Sequence, residues 1–338
     1  MRRAIIRKVL RLALAVLVLA VGAVLVVLYP ATPRPITFPE GKRFAFTIVD
    51  DTDQTTLERV RPLYDVMYRA GLRTTKTVWP LEQGPESSAT DAGDSLEDAA
   101  YRDWVIELQA KGFEIGLHGV RGGSSDRATT QAGLDAFKRT LGTDPRLHVN
   151  HAANRENLYW GEYRWGFAPF RWAFQLARPH RFEGHIPDSR YFWGDIAKER
   201  LRYFRRFTYS EINLLRVNPW MPYHLSGMDY VPYWFDGADG GSIDQFEQLL
   251  SDDNLDRLER EGGVSIVYAH LGAGSFNNGG EVDPRFVARI EAVSRHNGWF
   301  VPGSQILDYL AAQPGWTAEP SLRQKLQLET WFILDKVF

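Results

Sequence analysis

The chain has 338 residues, enough for one large domain or two small ones. Its formal net charge is -2 with 24% of residues charged, so no basic excess points to a nucleic-acid partner. It contains no cysteine, which excludes disulfides and thiolate metal sites and leaves His, Asp, Glu or water to hold any metal. Aromatic residues are abundant, with 11 Trp, 14 Tyr and 19 Phe, a composition that suits stacking on sugar rings but equally a core.

In chain order, the first eleven residues are basic, with Arg2, Arg3, Arg7, Lys8 and Arg11, and Leu12 to Tyr29 carries no charged group. That run approaches the about 20 residues needed to span a bilayer as a helix. The flanking positive charge predicts a cytoplasmic N-terminus and an exported body. A cleaved signal peptide is the competing reading, but its apolar region runs about 7–15 residues before a small-residue cleavage site. Residues 1–29 are therefore read as a basic tip and membrane anchor, and the proline-rich residues 30–41 as a spacer. Strand and helix patterns then alternate. A strand over 44–49 precedes a helix over 55–70, with Leu57, Val60, Leu63, Tyr64 and Met67 on one face. Gly71 closes that helix. A strand over 72–79, a polar loop, a helix over 96–111, a strand over 113–117, a helix over 129–141 and a strand over 147–150 follow. Residues 155–240 are dense in Trp, Tyr, Phe and Arg and show weak periodicity. Broken helices, short strands and long loops are expected there. Regularity returns with a helix over 242–260, a strand over 264–270, a helix over 284–297, a short strand over 299–301 and a helix over 304–312. The segment 313–338 reads as an amphipathic tail. Alternating β and α with crossover-length connections predicts parallel strands, whose carboxyl ends gather functional groups.

Those ends carry chemistry. The apolar run from Phe44 stops in Asp50, Asp51 and Asp53. Like charges this close are costly unless a cation or proton sits among them. One of them can cap the next helix, and three exceed what a cap needs. His118, Asn150, His151 and His270 also stand at expected strand ends. A metal held by carboxylate and imidazole acidifies water and polarises a carbonyl. A free carboxylate could take the proton of that water, and a histidine could protonate the leaving group. Such a set would hydrolyse an amide or an ester.

The order and spacing of these residues resemble the polysaccharide deacetylases of carbohydrate esterase family four, over roughly residues 42–310. Thr47-Ile-Val-Asp-Asp51 resembles the first motif, Glu114-Ile-Gly-Leu-His118 the start of the second, and Ile266-Val-Tyr-Ala-His270 the last. The resemblance implies a distorted parallel (β/α) barrel over 42–312. It further implies Asp50 as catalytic base, His270 as general acid, Asp51 and His118 as metal ligands, and a divalent ion, with zinc the expected one. The family's second metal histidine would fall at Gly122, and its third motif, with an Arg and a Pro, is missing from 147–154. His151, ending the next strand, is the expected replacement ligand, against the alternative of a loop histidine bonded to backbone. Asp53, Asn150 and Arg121 are expected to support the site or contact substrate, and a structural role suits His148. Asp188 or Asp195 would orient His270, or simply cap or face solvent. The expected function is a membrane-anchored, metal-dependent hydrolase that removes acetyl groups from a polysaccharide or glycan, periplasmic or extracellular. The alternative is a non-catalytic glycan-binding or polysaccharide-assembly relative, motivated by the missing histidine. A metal hydrolase for another amide, ester or glycosidic link is a third possibility.

Overall fold

The structure is a computed structural model that describes residues 36–88, 92–177 and 182–337. The expected anchor over 12–29 lies outside the described residues. Among the described residues no helix is long and apolar enough to cross a membrane.

Seven parallel strands form the centre: β1 (Phe44–Asp50), β2 (Thr75–Val78), β3 (Glu114–Leu117), β4 (Leu147–His148), β5 (Tyr203–Tyr209), β6 (Tyr233–Asp239) and β7 (Val264–Ala269). They pair in sequence order, and β7 pairs back onto β1 from Ala45↔Val264 to Asp50↔Ala269, closing a barrel. A barrel of this kind brings the carboxyl ends of all its strands to one rim. β1 is buried along its whole length, as expected of a parallel strand covered on both faces.

Helices connect the strands. Helix α1 (Leu57–Arg69) buries Val60, Leu63, Tyr64 and Met67, the face its periodicity predicts. After α2 (Ala99–Ala110) comes α3 (Arg127–Leu141), which starts where Asp126 accepts a hydrogen bond from the Thr129 amide. Gly142 ends it in the left-handed region, at φ 81°, a conformation that costs glycine little. The middle third contains α4 (Ala168–Ala177), α5 (Gly194–Arg200) and α6 (Leu214–Val217), together with β5 and β6, two strands of seven residues each. These strands are longer than the sequence pattern suggests. Arg205 and Arg206 interrupt the apolar run of β5, and both are buried. Adjacent strand residues face opposite sides, and each arginine meets a carboxylate far away in sequence, Asp51 or Glu329.

The helix expected over 242–260 divides into α7 (Ile243–Leu249) and α8 (Asp252–Glu261). Ser251 stands at the N-cap of the second, with Asp252 and Asp253 in its first turn. Acidic residues there favour starting a new helix. A small antiparallel pair, β8 (Asn277–Asn278) and β9 (Glu281–Val282), precedes α9 (Pro284–Arg295). Strand β10 (Gly298–Phe300) then pairs with the start of β1, and α10 (Gly303–Ala311) follows. The tail forms α11 (Leu322–Val337), which docks on β5: Glu329 pairs with Arg206, and the Phe332 ring stacks on Phe207 at 4.2 Å.

Candidate active site

The rim at the carboxyl ends of the strands encloses a cavity of about 420 Å³, lined among others by Asp51, Asp53, His118, His151, Arg205 and His270. Asp53 is its hub. Its Oδ1 lies 2.8 Å from His151 Nε2, and its Oδ2 lies 3.0 Å from both His118 Nε2 and His270 Nε2. Burial opposes the Asp53 charge, but the three imidazoles around it, His118 foremost, hold its carboxyl far below the usual carboxylate range.

Each histidine is set by its strand. His118 follows β3, where Trp79 Nε1 donates to its backbone carbonyl at 2.8 Å. His151 follows β4, and its Nδ1 lies 3.0 Å from Asn154 Oδ1. An amide oxygen only accepts, so Nδ1 carries the proton and Nε2 keeps its lone pair directed at the cluster. Asn154 is in turn held by Glu156 at 3.0 Å. His270 follows β7 beside Tyr268, whose hydroxyl lies 3.1 Å from its Nδ1. Burial disfavours the His270 imidazolium, yet the hydrogen bond to Asp53 and the charge of Asp51 outweigh it and raise its pKa.

Asp51 is held differently. Arg205 grips both of its oxygens, at 2.8 and 2.5 Å, and the guanidinium lies over the Tyr268 ring at 4.4 Å. Burial pushes the Asp51 pKa up, but the Arg205 charge, aided by His118, brings it below the ordinary value. Its Oδ2 is 3.9 Å from His270 Nε2 and 4.0 Å from His118 Nδ1.

Asp50 does not reach the cavity. It is fully buried on the other face of β1, where Lys76 Nζ lies 2.9 Å from its Oδ2, the Tyr64 hydroxyl donates at 3.1 Å and the Leu271 amide at 2.9 Å. Burial raises its pKa, with Lys76 opposing. Alternation along the strand is the cause, because Asp50 faces α1 and Asp51 faces the rim. Arg121 also stays out of the cavity lining, turning back onto Ser124 and Ser125 of its own loop. Asn150 does line the cavity, while bridging His148 Nε2 and the Leu158 carbonyl. His148 is buried against Trp193 and Phe204. Asp195 pairs with Arg127, and the carboxylate beside His270 is Asp53. Sequence reasoning missed Arg205, Arg164, Trp160 and Tyr268, all of which line the cavity. Tyr268 could have been found by its position two residues before His270, on the same side of the strand.

The donor set fits a divalent metal. Asp53, His118 and His151 each offer a ligand atom, all within 4.8 Å of one another, and Asp51, Asp53 and His270 form a second such group. Both ring nitrogens of His118 are buried with no well-formed hydrogen bond, although Nε2 is 3.0 Å from Asp53. A buried imidazole without a partner is costly, and an ion accepting its lone pair accounts for it. The His151–Asn154 contact is the kind of outer hydrogen bond that orients a metal-binding imidazole.

No family model matches the chain, and no curated protein matches it in sequence. It is similar in structure to proteins assigned as polysaccharide deacetylases. One from Mycobacterium smegmatis is 14% identical, with 87% of this chain and 100% of that chain covered and a TM-score of 0.48. Another, from Pseudomonas aeruginosa PAO1, is 13% identical, with 84% and 97% covered and a TM-score of 0.49. The PuuE allantoinase is 15% identical, with 85% and 96% covered and a TM-score of 0.47. At such values the chemistry of the site rests on this chain's own residues.

Proposed function

We propose that the protein is a metal-dependent hydrolase that removes acetyl groups from a glycan outside the cytoplasm. The observation that carries this reading is the meeting of Asp53, His118 and His151 beside an Asp51 already held by Arg205. Those three residues would hold the ion; two imidazoles and one carboxylate suit zinc among other first-row divalent ions. A divalent ion supplies Lewis acidity, polarising the acetyl carbonyl and acidifying water. Asp51 serves as the base in place of Asp50. A bidentate guanidinium occupies one lone pair on each of its oxygens and leaves others to accept the proton of an attacking water. Arg205 keeps Asp51 ionised and fixes its orientation. His270, whose charged form is favoured, delivers a proton to the departing amine or alkoxide while acetate takes up the hydroxyl. His151 would supply the ligand that Gly122 cannot, which favours this reading over a non-catalytic one. The glycan rests on the motif resemblance and on Trp160 in the cavity wall. The site outside the membrane rests on the basic, apolar N-terminus.

The test measures metal content and acetate release from an N-acetylated oligosaccharide. Asp51→Asn is expected to keep its metal and lose roughly 100- to 10,000-fold in kcat. His151→Ala and Asp53→Ala are expected to lose the metal itself. Full metal content in both alanine variants, or undiminished turnover in Asp51→Asn, would reject the mechanism.

A further inference from the structure

Resting on that reading, we propose that Arg164 makes the site selective for acetylated glycans carrying a carboxylate next to the acetylated sugar, a uronate-type polysaccharide rather than a neutral one. Arg164 lines the same cavity as Asp51, His151 and His270. It is held in place on several sides. Its guanidinium stacks over Trp160 at 4.1 Å and lies 4.8 Å from the Phe207 ring centre. Its Nε and Nη2 both donate to the Arg206 backbone carbonyl, and Arg206 returns two hydrogen bonds to the Arg164 carbonyl.

The other arginines nearby have counter-charges. Arg205 is matched by Asp51 and Arg206 by Glu329. Asp236 also acts on Arg164 through its charge but forms no ion pair with it; Asn218, Tyr223 and the Phe207 amide hold it, and burial raises its pKa. Among the described residues Arg164 forms no ion pair, and its Nη1 has no hydrogen-bond partner. Burial, then the Arg206 charge, lowers its pKa to about 9, with the Asp236 charge opposing.

A half-buried guanidinium with no anion in contact is costly, and a substrate anion would satisfy it. The rest of the cavity points the same way. Asp51 is neutralised by Arg205, and Asp53 faces histidines that would share an ion with it. That leaves Arg164 as a lining cation with no carboxylate paired to it among the described residues. One such cation with one free nitrogen suits a singly charged carboxylate better than a phosphate dianion. Trp160, fixed by the same stack, forms the adjoining wall.

The experiment compares two probes on the full, metal-loaded chain. One is a tetrasaccharide alternating N-acetylhexosamine and hexuronate, and the other is the same oligosaccharide with its carboxyls reduced to alcohols. A charge-assisted hydrogen bond predicts a preference for the anionic probe of roughly 10- to 100-fold in kcat/KM. Arg164→Gln is expected to bring that ratio close to one. The ratio is internal to each protein, so a partly unfolded variant does not distort it. Equal use of both probes by the wild type overturns the inference and leaves the hydrolase reading intact. So does a preference that survives Arg164→Gln. If neither probe is hydrolysed, it is the hydrolase reading that fails. The ratio of the two dissociation constants by calorimetry, wild type against Arg164→Gln, then decides the inference by the same criterion.

Discussion

Replacing Asp50 by Asn separates structure from catalysis at the acidic end of β1. Asp50 and Lys76 are both 0% exposed, and the pair is 2.9 Å apart. Asparagine keeps an oxygen for the Leu271 amide, but it removes the charge that balances Lys76 and points an N–H group toward that ammonium. Breaking a buried pair on one side costs roughly 3–5 kcal/mol, because the remaining charge stays buried without a partner. Against a total stability of about 5–15 kcal/mol, this is a large fraction, and it corresponds to a fall in Tm of roughly 5–8 °C. Thermal unfolding followed by circular dichroism reads it. Below the transition the folded fraction should turn over within a few-fold of wild type, since Asp50 lies behind the strand. Adding Lys76→Met removes the stranded charge and should restore most of the lost stability. A fully stable but inactive Asp50→Asn protein would refute this reasoning and return the catalytic base to Asp50.

The remaining predictions concern the core, the tail and the membrane. Burial lowers the His148 pKa from 6.5 to about 3, so the fold favours its neutral form. The stability this brings is complete above about pH 6.5 and drains away as pH falls toward 3, with a loss of about 2 kcal/mol by pH 5. Urea unfolding across that range should show the slope in wild type and a flatter one in His148→Phe. Glu329→Gln strands the buried Arg206 guanidinium and should cost roughly 3–5 kcal/mol. Limited proteolysis should then cut within 313–337, where wild type resists. A C-terminal reporter active only outside the cytoplasm should be active in the full chain, and loss of that activity on deleting residues 1–29 would tie export to the basic, apolar N-terminus.

The alternation of strands and helices was legible in the residues, because hydrophobic period and glycine stops are local signals. The strand-end acids and histidines were legible too, since such groups are conspicuous after an apolar run. The nearness of His151 to His118 was expected from their strand ends, although the acid that meets both is Asp53 rather than Asp51. β5 and β6 were not, because buried Arg205 and Arg206 break the apolar pattern of the first and buried Asp236 that of the second, and their partners lie elsewhere in the sequence.

The sequence by itself determined the parallel α/β architecture and a short list of acids and histidines able to hold a metal. Only the tertiary structure decided among them. Asp50, Asp51 and Asp53 are equivalent in composition, and parity divides them into one side and the other without saying which side is the cavity. That choice followed from barrel closure, which set Tyr64 and Lys76 against Asp50 and left Asp51 and Asp53 to the rim. Arg205 and Asp51 lie 154 positions apart in the chain. A contact between them is a property of how strands are ordered around a ring, and no local pattern in the chain encodes it.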